Sequence, residues 1–140
     1  MTPDRTLLVG FRGAYHNVRD IYLLHGPVQS KRFEASQVSA DNWVFEGCPM
    51  AGPSVDPATS KLIHVAWMSD GQAYHATSDN GGGSFTARAA PGDPQQGPRS
   101  LPVILSNARG EQLFAWVEDR HVRWERLSTD GRVLASGDNG

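Results

Sequence analysis

The sequence predicts an all-β protein, and three observations carry that expectation. Short runs of β-forming residues are separated by Gly, Pro, Asn and Asp, and no stretch has sustained helical spacing. A strand-ending aromatic recurs at intervals of about 50 residues, in Val9-Gly10-Phe11, Val65-Ala66-Trp67 and Phe114-Ala115-Trp116. Residues 77–85 read as a tight hairpin turn, in which Asp79 and Asn80 satisfy backbone N–H groups and the glycines supply positive φ. Phe85 then folds back as the apolar plug that anchors this turn to its own sheet.

Taken in order, residues 6–11 form a short apolar run followed by Gly13, and residues 20–24 a second run closed by His25-Gly26-Pro27. Residues 32–38 alternate apolar and polar, as a half-exposed strand does. Residues 47–53 (GCPMAGP) break regular structure repeatedly and read as a loop. Residues 62–68 (LIHVAWM) are the strongest strand, with Ile63, Val65 and Trp67 on one face and Leu62, His64 and Ala66 on the other. Strands at 72–77 and 84–89 flank the hairpin turn, and residues 91–98 (PGDPQQGP) form a second breaker loop. Strands at 101–105, 112–117, 121–127 and 132–135 complete the chain. Residues 118–121 are expected to be a polar hairpin turn with its charges in water, and Arg123, Glu125 and Arg132 a solvated strand face.

A chain of 140 residues with 39% apolar content and four Trp suits one domain, residues 1–140, with its own core. A net charge of −2 gives no reason to expect nucleic acid or an anionic membrane as partner. No apolar run approaches the ~18 residues of a membrane span. The start, Met1-Thr2-Pro3-Asp4-Arg5, lacks an apolar signal region. Cytoplasmic location is the default expectation, with secretion left open. Cys48, alone, makes no internal disulfide or multi-Cys zinc site and reads as a buried structural thiol. The five histidines show no metal-binding spacing, and His64 and His75 are placed to meet across a sheet.

The repeat extends beyond the aromatic triplets. Each is followed by a strand with a central aromatic (Tyr22, Tyr74, Trp124), and Thr77-Ser78-Asp79 and Ser128-Thr129-Asp130-Gly131 share turn chemistry. A repeat of about 50 residues with four short antiparallel strands is the signature of a propeller blade. The expected blades run over about 6–40, 52–90 and 99–136, the first lacking its innermost strand. Since propellers close with at least four blades, three blades are expected to be closed by a homodimer, and the resemblance given next implies that the ring has six. An open fragment or a smaller sandwich are the alternatives.

The stretch Thr77, Asp79, Gly81, Ser84 and Phe85, with one glycine more than the shortest form, resembles the Asp-box of the sialidase-like (BNR-repeat) β-propellers. Residues 128–131 resemble a decayed copy. Phe11-Arg12-Gly13, Arg19-Asp20-Ile21-Tyr22-Leu23 and the Asp41…Pro53 stretch are similar to segments of bacterial BNR-repeat proteins. Sialidases of this family clamp a substrate carboxylate with three arginines and use an acidic proton donor and a Tyr/Glu pair. Arg12 resembles the first of those arginines. Tyr15, Tyr22 and Tyr74 match the nucleophile, and Glu46 and Glu118 the acid, by residue type alone. One chain lacks half of such a site, and a symmetric dimer does not supply the asymmetric set. No catalytic residue, metal or cofactor is therefore expected. The resemblance implies instead a non-enzymatic binding or assembly module. Its ring mouth, with Arg12, Arg19, Asp20, Trp67 and Trp116, would be the place for a carbohydrate or peptide. A sialidase-like glycoside hydrolase with an incomplete or shared site is the alternative.

Overall fold

The computed structural model describes residues 1–30, 32–49, 51–92 and 97–139, which form ten strands and no helix. The predicted breaker loops at 47–53 and 91–98 therefore lie partly outside the described residues.

The strands make three antiparallel sheets in chain order. The first holds β1 (Thr6–Arg12), β2 (Ile21–Pro27) and β3 (Glu34–Gln37). The second holds β4 (Ser54–Pro57), β5 (Ile63–Ser69) and β6 (Gln72–Ser78). The third holds β7 (Arg99–Ser106), β8 (Gln112–Glu118), β9 (His121–Leu127) and β10 (Val133–Asp138). β1 forms an edge of its sheet, and the first sheet has no strand ahead of β1 corresponding to β4 and β7.

The sheets stack in series, and the middle one is covered on both faces. On one side Ile63, Val65, Trp67 and Ala76 pack with Ile21 and Leu23 of the first sheet. On the other, Ala66 and Ala73 pack with Ile104, Phe114, Trp116 and Leu127 of the third. The period-2 alternation of β5 supplies both layers at once, as the sequence predicts. Polar ties reinforce the second contact: Ser54 Oγ accepts from Ile104 N at 3.4 Å, and Ser106 donates to Asp56.

Residues 84–89 do not form the predicted fourth strand of the second sheet. They pair with β6 only in part: His75 and Ala89 exchange backbone hydrogen bonds at 2.9 Å, and Thr86 N donates to Thr77 O at 2.9 Å. Thr86 Oγ1 takes the Thr77 N–H at 3.1 Å, substituting a side chain for a ladder carbonyl. Arg88 leaves the sheet margin to pair with Asp41 and to lie over the Tyr74 ring at 4.3 Å. The segment therefore follows β6 with broken pairing.

The turn before it is held one residue later than the sequence suggests. Ser78 Oγ accepts from Gly82 N at 2.9 Å, and Asn80 Oδ1 accepts from Ser84 N at 3.0 Å, while Asp79 is exposed. Gly82 sits at φ +97°, and a Cβ there would lie 2.8 Å from Leu23 Cδ2, so glycine is required. Phe85 is half-buried against the first core, as expected of the plug.

The opposite ends of the strands turn differently. Asp70-Gly71 and Asp119-Arg120 have positive φ at both positions, the geometry of two-residue hairpins. Glu118, expected in water, is instead buried at 2% exposure because its carboxylate accepts from Arg99 Nε at 3.1 Å and Trp116 Nε1 at 2.9 Å. Glu125 is likewise buried rather than solvated, because β9 turns it toward the middle sheet beside Gly92. Cys48, read as buried, is exposed on the long connection between the first two sheets. Trp124 does not match Tyr22 and Tyr74 in register. Those two pair with Phe11 and Trp67, whereas Trp124 pairs with Ala115.

His64 and His75 both face the third sheet from neighbouring strands. His64 Nδ1 shares a hydrogen bond with Thr77 Oγ1 at 2.9 Å, and the His75 ring lies 5.0 Å from that of Phe114. Burial, with His64 adding to it, pushes the His75 pKa from 6.5 down to about 4, and burial lowers that of His64 as well. Both groups are neutral when folded and take up protons on unfolding. Their stabilisation is therefore complete above pH 6.5 and falls as the pH drops from there toward 4. The buried Glu125, whose carboxyl is pushed up, acts in the opposite sense. Urea melts should show a loss of roughly 3 kcal/mol across that window that His75→Gln largely removes. An unchanged pH slope in the variant would refute this assignment.

Candidate functional site

The residues singled out in the sequence do collect at one end of the stack, where the C-terminal ends of β1, β5 and β8 meet the connecting loops. Each is engaged by the protein itself. Arg12 donates to Met68 O at 2.6 Å and Arg19 O at 3.1 Å, and lies over the Trp43 ring at 5.3 Å. Arg19 donates to Phe45 O and Gly47 O, both at 3.0 Å, and so gathers in the long loop. Asp20 is buried and caps Asn42 N at 3.0 Å.

Trp67 is fully buried and gives its indole N–H to Asp41 at 2.7 Å, and Trp116 gives its own to Glu118. Arg12, Arg19, Asp20 and Trp67 fasten the loops to the sheets through these bonds, and Trp116 is tied within its own strand. Each guanidinium gives two of its five N–H donors to backbone carbonyls, and the buried Arg12 Nε has no partner among the described residues. Burial lowers the Arg12 pKa, with Arg19 contributing, against the pull of Asp41 and Asp20. Of the tyrosines, Tyr15 is 78% exposed, whereas Tyr22 stacks on Phe11 at 5.7 Å. Beside the cluster lies a cleft of about 380 Å³ between Trp43, Ser69, Tyr74 and Arg88. Among the described residues no group of three His, Cys, Asp or Glu is placed to hold a metal ion.

A second feature, absent from the candidate residues, emerges from comparing the three sheets. The aromatic triplet always turns its two large residues toward the preceding sheet and its small central residue toward the following one. Phe114 and Trp116 lie over Ala66, with His75 beside it. Val65 and Trp67 lie against the first sheet, where Gly10 has Leu23 beside it. A Cβ on Gly10 would come within 2.6 Å of Val55 Cγ2, so the small residue admits the neighbour closely.

At the two ends of the stack the same residues have nothing to meet. Val9 and Phe11 are 41% and 38% exposed, against 0% for Val65 and Trp67. Ala115, with Trp124 beside it, occupies the outer face of the third sheet among the exposed Val103, Leu105, Leu113 and Val122. The outward large face of the first sheet and the outward small face of the third are thus the two halves of a junction that occurs twice inside the chain. The triplets were visible in the sequence, but the sheet order was needed to see which way each points. No protein-family model matches the chain, and no curated protein matches it.

Proposed function

We propose that the chain is a non-enzymatic assembly module of sialidase-like β-propeller type, whose three sheets act as blades and pair head to tail with those of a second copy. The observation that carries this reading is the exposure of Val9 and Phe11 at one end and of the Ala115 face at the other. The turn chemistry supports the family reading. With Ser78, Asn80, Gly82, Ser84 and Phe85 in the Asp-box positions, and Asn in place of the Asp, the turn has no surplus glycine. Ser128 and Asp130, which hydrogen-bond each other, repeat the first two positions in the third sheet.

A twofold axis places the first sheet of each copy on the third sheet of the other, giving two equivalent junctions and a closed six-bladed ring. Sedimentation equilibrium at micromolar concentration should return twice the 15.2 kDa chain mass. A mass of one chain at that concentration overturns the proposal.

A further inference from the structure

The first sheet lacks the strand that precedes the aromatic triplet in the other two. β4 runs beside β5 and β7 beside β8, whereas β1 forms a sheet edge. Hydrogen bonds at the two ends of β1 fix which backbone groups that edge presents. Gly13 N donates to Asp20 O at 2.8 Å and Val28 N to Arg5 O at 3.0 Å. In this register the odd-numbered residues of β1 bond to β2 and the even-numbered ones point away from it. Thr6 is already paired on the outer side. Thr2 N donates to its carbonyl at 3.0 Å, and its own N–H goes to Thr2 Oγ1 at 2.9 Å. Thr2 is buried in that position, so the edge accepts an antiparallel neighbour. Leu8 and Gly10 come next, and among the described residues no hydrogen bond reaches their outward N–H and C=O groups.

The other two sheets show the chemistry of a strand in this position. Val55 lies opposite Val65 and Ile104 opposite Phe114, so the residue corresponding to a partner of Val9 is a β-branched aliphatic in both. Val55 packs into the core between the first two sheets, and Ile104 is fully buried between the second and third. The same side chain on the first sheet would cover the exposed Val9. Its two neighbours correspond to Val103 and Leu105, which bond to β8 in the register set by Asn107 N and Glu111 O. Each of those positions needs an N–H, which excludes proline. All ten strands of the chain are already committed to sheets, so a second copy has no spare strand to lend.

We propose that β1 is a docking edge for an extended segment of another protein, which adds antiparallel at Leu8 and Gly10 with a Val or Ile facing Val9. Backbone hydrogen bonds give the affinity and the aliphatic anchor gives the selectivity. The edge belongs to one chain, so the site stands whether or not the ring closes.

The probe is a dye-labelled peptide copying residues 99–105, titrated into the full chain by fluorescence anisotropy and followed by hydrogen exchange of ¹⁵N-labelled protein. Binding should slow exchange at Leu8 and Gly10 and leave Leu7 and Val9, already bonded to β2, unchanged. Methylating the peptide nitrogens copied from Val103 and Leu105 should weaken binding more than about tenfold. Methylating the one copied from Ile104, which faces away from β1, should cost less than about threefold. Ala115→Arg, which breaks the proposed ring without touching β1, should leave the affinity unchanged, so the two readings fail separately. No binding at millimolar peptide, equal effects of the two methylations, or exchange changes confined to β8, where the peptide would be displacing β7, overturns the proposal. So does protection of Leu8 and Gly10 that is present without peptide and lost on dilution, since a second copy then covers the edge.

Discussion

Phe11→Arg should convert the proposed twofold ring into folded monomers. Phe11 is part-exposed on the outer face of β1, so the change leaves the cores of the single chain intact. In a twofold ring it strikes both junctions, because every copy carries it. Losing an aromatic contact and burying an unpaired charge costs at least about 2 kcal/mol per junction, or roughly a thousandfold in Kd for two. Light scattering over a dilution series reads the shift, and circular dichroism checks that the strand signal is retained. Ala115→Arg should have the same effect from the other side. Mixing the two variants separates head-to-tail pairing from a face meeting its own copy. The Phe11→Arg chain keeps an intact third sheet and the Ala115→Arg chain an intact first sheet, so together they form one sound junction. Association in the mixture and not in either variant alone is the expected pattern. A dimer that survives Ala115→Arg but not Phe11→Arg would mean that the first sheet pairs with itself.

Glu118→Ala is expected to be the most damaging single change to the chain itself. Its carboxylate is 2% exposed and binds both Arg99, 1% exposed, and the Trp116 indole. Arg99 also donates to Pro91 O and lies over the Trp116 ring at 5.6 Å, tying the loop before β7 to the third sheet. Removing the carboxylate withdraws the countercharge hydrogen-bonded to a guanidinium already out of water, which costs about 3–5 kcal/mol. Urea denaturation should show that loss with an unchanged slope. The double change Arg99→Met with Glu118→Leu should recover much of it, because two apolar side chains need no partner. A single-variant loss below about 1 kcal/mol would show that the pair is dispensable.

The layered core was legible because β5 alternates so cleanly that its two faces can be assigned from the letters alone. The attachments of the arginines were not legible. Arg12 donates to the carbonyl of residue 68 and Arg19 to those of residues 45 and 47, partners that local sequence cannot reveal. The broken pairing at 84–89 was equally hidden. Its pattern suits an edge strand, and the pairing of Arg88 with Asp41, 47 positions earlier, cannot be read locally. Glu118 shows the converse, a charge in a turn-like string that is buried because Arg99, nineteen positions earlier in the chain, comes to meet it.

The alternation of a bulky face with a small one gives the molecule a direction, like a tile with a tongue on one side and a slot on the other. Tongue and slot set no upper limit on how many tiles join, since each addition presents a fresh tongue. What ends the series is the angle through which each sheet is rotated from the last. Steps that add up to a full circle consume both ends and leave a particle of fixed size. Steps that miss the circle leave a filament with the same contacts and the same affinity. In the proposed ring, particle size would be decided by the pitch between sheets, and Gly10, where an added Cβ would come within 2.6 Å of Val55 Cγ2, is one position that limits that pitch.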